Sequence, residues 1–249
     1  MLELPSSYKT AKTNLWDFTY LWAGVKKAGK TTFLAEWQDH FILEGEPGNA
    51  KHLNANYVDI HNWSEVVGYL DLLERTPNYC KIVFVDGIDK IYAMLVKSVR
   101  LELKLPDLKP LEFGAWNAIR MRFENFIQRL HNLNIGVGYT THTELVTATD
   151  LVGREISKLE TSMSKQCNEI MDGIIHFWGV MLLDEKGNRI MRLQGDSFIK
   201  AGNSLSETHF RWKGRSIKQI PMGKSGKEAF FYFMCAFDNN LEVPESYLQ

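Results

Sequence analysis

"AGVKKAGKTTF", residues 23–33, decides how the rest of the chain is read. Gly24-Val25-Lys26-Lys27-Ala28-Gly29-Lys30-Thr31 fits the spacing G-x-x-x-x-G-K-[ST] at every fixed position. Glycines let backbone N–H groups turn inward around phosphate oxygens, and the start of a following helix adds partial positive charge. Lys30 is expected to reach the β- and γ-phosphates of a nucleotide, and Thr31 to place its hydroxyl on Mg²⁺. The candidate nucleotide-binding set is Gly24, Lys27, Ala28, Gly29, Lys30, Thr31 and Thr32. The flanks suit this role. "WDFTYLWAG" (16–24) reads as a buried strand ending at a glycine, and residues 30–40 place Phe33, Leu34 and Trp37 at helical spacing.

Downstream, strand-like and helix-like runs alternate. "FILEGEPG" (41–48) is a short strand broken by Pro47-Gly48, and 64–76 is an amphipathic helix with Ser64 as its expected cap. "KIVFVD" (81–86) is a continuous apolar run closed by an aspartate, the pattern of a central parallel strand. A helix follows at 116–133 and a strand at 135–142. "IIHFWGVMLL" (174–183) and "RIMRLQG" (189–195) read as an antiparallel hairpin, and 227–237 as an apolar helix. The polar stretches 143–170 and 196–226 are expected to be mobile loops. Together these predict an α/β fold with a mainly parallel sheet between helices and a hairpin on its C-terminal side.

In a parallel sheet the carboxyl ends of the strands line the ligand crevice, so the polar residues there are the candidate chemistry. Asp86 closes its strand as the expected magnesium partner of Thr31; Asp89 is read as a helix-start charge. Glu44 and Glu46 both end the second strand, and residues two apart share a strand face. Glu46, nearer the tip and fixed by Pro47, is expected to orient the attacking water. Thr141 and His142 end the next strand, where a polar side chain can sense a γ-phosphate.

The totals set limits. Of 249 residues, 45% are hydrophobic and 24% charged, which suits a globular chain with a real core. A net charge of −1 excludes coating of nucleic acid by bulk charge, so any such surface must be local. Cys80, Cys167 and Cys235 are scattered, which fits a reducing compartment. The seven histidines show no metal-ligand spacing. With no long apolar run at the N-terminus or elsewhere, neither a secretory signal nor a membrane span is expected, and the expected location is the cytoplasm.

"GVKKAGKTT", "FILEGEPG", "KIVFVDGIDKI" and "NIGVGYTTHTE", in this order, resemble the RecA-like P-loop ATPases. The set is most similar to the compact phage nucleotide-binding proteins of the single-strand-annealing recombinase group. In that group a strand ending E-P-G follows the cradle, and a K-A-G-N-R stretch follows the hairpin. Here the second stretch is Lys200-Ala201-Gly202-Asn203-Ser204, with serine where the phage pattern has arginine. The resemblance implies an ATPase core over residues 15–205, between an N-terminal extension (1–14) and a basic and apolar C-terminal segment (206–249). It further implies ATP and Mg²⁺ as ligands, Glu46 as water activator and His142 as γ-phosphate sensor. Lys200 is implied as a cation acting on a neighbouring subunit's nucleotide in a filament or ring, and 143–170 as the DNA-contacting loop. A phage protein of this kind works in the cytoplasm of its bacterial host.

Residues 186–227 add ten Lys/Arg against two acidic residues, interleaved with Phe198, Phe210 and Trp212. Cations with stackable aromatics suit single-stranded DNA. The function expected is therefore a DNA-stimulated ATPase acting on single-stranded DNA in recombination or annealing. A helicase-like, loader or packaging motor, a small-molecule kinase and a non-hydrolysing scaffold share the same cradle and stay open.

Overall fold

In "KIVFVD", Ile82 and Phe84 face one apolar core while Val83 and Val85 face another. A strand buried on both sides needs helices above and below it. The structure, a computed structural model, describes residues 11–106, 110–149 and 153–248. In chain order it contains β1 (Thr19–Gly24), α1 (Lys30–Leu34), β2 (His40–Glu44), β3 (Tyr57–Asp59), α2 (Trp63–Arg75), β4 (Ile82–Asp86), α3 (Ile88–Glu102) and α4 (Phe113–His131). There follow β5 (Gly136–Thr149), β6 (Glu155–Thr161), α5 (Lys165–Asp172), β7 (Phe177–Leu183), β8 (Arg189–Arg192), β9 (Gly202–Asn203), β10 (Arg211–Trp212), β11 (Arg215–Ser216), β12 (Gln219–Pro221) and α6 (Gly226–Phe237).

The main sheet runs β12-β8-β7-β1-β5-β4-β2-β3, parallel from β7 to β3, with β8 and β12 antiparallel at one end. This is the expected mainly parallel α/β architecture with its C-terminal hairpin. Residues of α2, α3, α4 and α5 build the core on one face. On the other, α1 and α6 enclose an aromatic cluster in which Tyr20 stacks on Trp22 and Trp37 packs edge-on against both. A Cβ at Gly138 would run into the rings of Phe84 and Trp22, so this strand approaches its neighbours only as glycine.

Several local expectations need correction. The helix expected over 30–40 stops at Leu34, because the chain turns to insert Trp37 into the aromatic cluster before β2 begins. The cap of α2 is Asn62, whose side chain accepts from Glu65 N–H, while Glu65 Oε2 accepts from His61 N–H; Ser64 lies inside the helix. Residues 143–149 and 155–161 do not form a mobile loop. They pair as a two-stranded antiparallel ribbon that extends β5 beyond the sheet, and 165–172 form α5; residues 150–152 lie outside the described residues. The stretch 196–226 is likewise built in, with Leu205, Phe210, Ile217, Ile220 and Met222 buried and β12 paired to β8. Of the N-terminal extension, residues 1–10 lie outside the described residues, and Asn14 caps a short 3-10 turn at Leu15–Asp17. In the C-terminal segment, Phe233 of α6 meets Phe33 of α1 edge-on at 5.6 Å.

Candidate active site

The loop between β1 and α1 is bent through two left-handed positions, Lys27 (φ 64°) and Gly29 (φ 94°). A glycine is needed at the second because an L side chain is strained there. The bend opens a cavity of ≈ 480 Å³. Lys27, Gly29, Lys30, Thr31 and Thr32 line it together with Glu46, Asp86 and His142, so residues distant in sequence meet at the carboxyl ends of β1, β2, β4 and β5. Gly24 and Ala28, also expected in the nucleotide-binding set, do not line this cavity.

Lys30 is buried, and its ammonium donates to the carbonyls of Gly24 (2.8 Å) and Val25 (3.1 Å). Burial lowers its pKa, opposed by the charges of Asp86, Asp89 and Glu46. Thr31 Oγ1 donates to Asp86 Oδ2 at 2.6 Å, and Thr140 Oγ1 donates to the other carboxylate oxygen of Asp86. Burial raises the Asp86 pKa, offset by the Thr140 and Thr31 hydrogen bonds and by Lys30. A hydroxyl and a carboxylate side by side are hard oxygen donors of the kind Mg²⁺ takes, with water and phosphate oxygens completing its shell. These residues therefore fit a Mg²⁺–nucleotide complex. Among the described residues, no cluster of three or more His, Cys, Asp or Glu could hold a metal.

Glu44 and Glu46 part company because β2 ends at Glu44, so strand alternation no longer relates them. Glu44 is fully buried and accepts from Ala50 N–H at 2.9 Å; burial pushes its pKa up to about 7. Glu46 turns into the cavity, 3.6 Å from Lys90 Nζ and 3.7 Å from His142 Nε2, with Asn49 donating to it at 3.2 Å.

His142 Nδ1 lies 3.3 Å from Asp89 Oδ2, which also accepts from Ser162 Oγ at 2.9 Å. Burial pushes the Asp89 carboxyl up, but the hydrogen bonds from His142 and Ser162, with the charges of His142 and Lys90, hold it below its ordinary value. Asp89 is thus more than a helix-start charge. It ties together the two feet of the ribbon, His142 on β5 and Ser162 just after β6.

Other candidates sit elsewhere. Lys200 does not line the cradle. It pairs with Asp172 at 2.6 Å above the Trp178 ring, beside a groove bordered by β6, α5 and residues 195–201. The basic segment is less available than its composition suggests. Arg192 pairs with Asp196, and Lys213 and Arg215 with Glu245. Phe210 is fully buried and Trp212 partly so, leaving Phe198 as the exposed aromatic of the three. Sequence reasoning missed Arg189, Asn49 and His52, which also line the cradle. Asn49 and His52 follow the E-P-G turn closely, a signal that was there to be used; Arg189 carries no local signal.

The AAA domain family matches residues 17–205, and the chain belongs to that family. No curated protein matches the chain. Among solved structures it is similar to a KaiC-like protein from the hyperthermophilic archaeon Pyrococcus horikoshii. That match has 15% identity and a TM-score of 0.48, and covers 85% of this chain and 88% of the other. The domain is a P-loop core on a mainly parallel sheet, and its family points to nucleotide binding and hydrolysis, usually with Mg²⁺. Among the described residues, no helix is long and apolar enough to cross a membrane.

Proposed function

We propose that this protein hydrolyses ATP and uses the cycle to change its hold on single-stranded DNA, as an oligomer acting in phage-type recombination or annealing. Lys30 exchanges its loop carbonyls for phosphate oxygens when nucleotide enters, and Thr31 and Asp86 hold Mg²⁺. The metal, when bound, neutralises charge that builds on the phosphates. Glu46 orients a water against the γ-phosphorus and takes its proton as the new O–P bond forms. The bond to the β-phosphate bridging oxygen breaks, and ADP is the leaving group. His142, beside Glu46, registers whether the γ-phosphate is present.

The observation that supports coupling is the Asp89 clamp. The carboxylate that meets the sensor His142 also meets Ser162, so a change at the γ-phosphate is felt at both feet of the ribbon. The ribbon shows Thr147, Thr149 and Ser157 to solvent beside Glu144, Glu155 and Glu160, with Lys158 half-buried among them. Hydroxyls and backbone groups there suit contact with phosphates. Lys200 faces away from its own chain's cradle, so its proposed action on nucleotide requires a neighbouring copy and release from Asp172. The same core could serve a motor or loader; the ribbon, which is a poor phosphate lid, speaks against a small-molecule kinase.

The test is ATP turnover measured with and without a single-stranded oligonucleotide. Stimulation of turnover together with nucleotide-dependent DNA binding is expected. Turnover indifferent to DNA, with no DNA binding in any nucleotide state, would sink the DNA assignment.

A further inference from the structure

Arg189 opens β8 and directs its guanidinium into the cradle cavity. Its Nη1 lies 3.5 Å from where a Cβ on Gly29 would stand, so the cation rests directly over the bend of the loop. Among the described residues its side chain has no hydrogen-bond or ion-pair partner, unlike Arg192 on the same strand, which is held by Asp196. With three lysines and the carboxylates of Glu46 and Asp86 sharing the pocket, a guanidinium without a protein partner among the described residues keeps its N–H donors available to an anion that enters.

The support beneath Arg189 is rigid. The turn before it is closed by Asp184, whose carboxylate accepts from the backbone N–H groups of Lys186 (2.9 Å) and Asn188 (2.7 Å). Arg189 itself pairs with Leu183 of β7, and its carbonyl accepts from Met222 N–H at 2.9 Å. The backbone that launches the side chain is therefore fixed before any ligand binds, which lowers the ordering cost of a contact.

Sheet order says which part of the ligand it meets. β8 is separated from β1 by β7, on the flank opposite to β5, β4 and β2. Asp86, Glu46 and His142, the groups assigned to the metal and the γ-phosphate, all stand on that other flank. Resting on the nucleotide-site reading above, we infer that Arg189 binds the α- and β-phosphates of a nucleoside di- or triphosphate in its own subunit. A planar guanidinium can bridge two phosphate oxygens with parallel N–H bonds, which a lysine cannot do. Arg189 then serves ground-state nucleotide binding and is spectator to the bond cleavage.

The test is titration calorimetry of the full chain with Mg²⁺-ADP and Mg²⁺-ATP, for the wild type, Lys30→Ala, Arg189→Ala and Arg189→Lys. Arg189→Ala is expected to weaken both ligands by the same factor, on the order of tenfold or more. Arg189→Lys should recover part of that loss, with thermal midpoints of the ligand-free proteins unchanged. Wild-type protein that binds neither nucleotide would bring down the nucleotide-site reading itself. If the wild type binds and Lys30→Ala does not, while Arg189→Ala binds ADP as tightly as the wild type, Arg189 has no such role. A loss confined to ATP would equally overturn its placement on the α- and β-phosphates.

Discussion

β5 has two halves that differ in almost every physical respect. Val137, Tyr139, Thr140 and Thr141 are buried between β1 and β4, where side chains are locked on both faces of the sheet. From Thr143 onward the same strand leaves the sheet and pairs only with β6, and Leu145 is 73% exposed. The first half is held by packing that costs several kcal/mol to disrupt; the second is a two-stranded ribbon tied at its feet and at Leu159 of β6, whose N–H donates to the Phe198 carbonyl at 2.8 Å. His142 stands at the seam. Packed residues hold the candidate nucleotide site, the ribbon projects from it, and the Asp89 contacts to His142 and Ser162 join the two.

Breaking the rigid half should have the largest effects. Lys30→Ala removes the buried ammonium from the cradle, so ATP binding and turnover should both fall by about a hundredfold or more, read by nucleotide titration and phosphate release. Glu46→Gln keeps the shape and loses the base, so kcat should fall by about a hundredfold while ATP affinity stays within about threefold. Parallel losses of binding and turnover in that variant would make Glu46 a binding group instead.

Cutting the clamp sharpens the contrast between the halves. Asp89→Asn weakens the charge-assisted contacts to His142 and Ser162 together, so basal turnover should stay within about fivefold while stimulation by single-stranded DNA is lost. A variant stimulated as fully as the wild type would show that the two halves communicate by another route.

The smallest effect concerns Glu44, which binds a proton more tightly folded, at about 7, than in the unfolded chain at its ordinary value. The contribution of Glu44 to stability is therefore present below its ordinary value and lost as pH rises through about 7. Glu44→Gln keeps an acceptor for Ala50 N–H without the buried charge. It should be the more stable protein at pH 8 by about 2 kcal/mol, with the gap closing at pH 5. Thermal melts across that range would show this, and a gap independent of pH would contradict it.

How much of this could be read from the chain depended on how local each signal was. The cradle and "KIVFVD" are contiguous, so their residue types suffice to place Lys30, Thr31 and Asp86 around one cavity. The ribbon was misread because Thr, Glu, Ser and Lys fill a strand with no core to face, and polar alternation looks like loop when no apolar face marks it. Phe210 looked like a stacking residue because composition does not show which way a side chain points; in the fold it is buried against Phe177 and Phe233. Arg189 was invisible for a further reason. Its place over Gly29 follows from the β7–β8 register and the position of β7 beside β1, neither of which is encoded within a short window.

The most direct test of the central claim is the rate of phosphate release from ATP by wild-type protein and Glu46→Gln, each with and without a single-stranded oligonucleotide. The wild type should turn over ATP and accelerate with DNA, while Glu46→Gln should bind ATP and release almost no phosphate in either condition. Equal rates in the two proteins, unmoved by DNA, would contradict both the water-activating role of Glu46 and the coupling of this site to the ribbon.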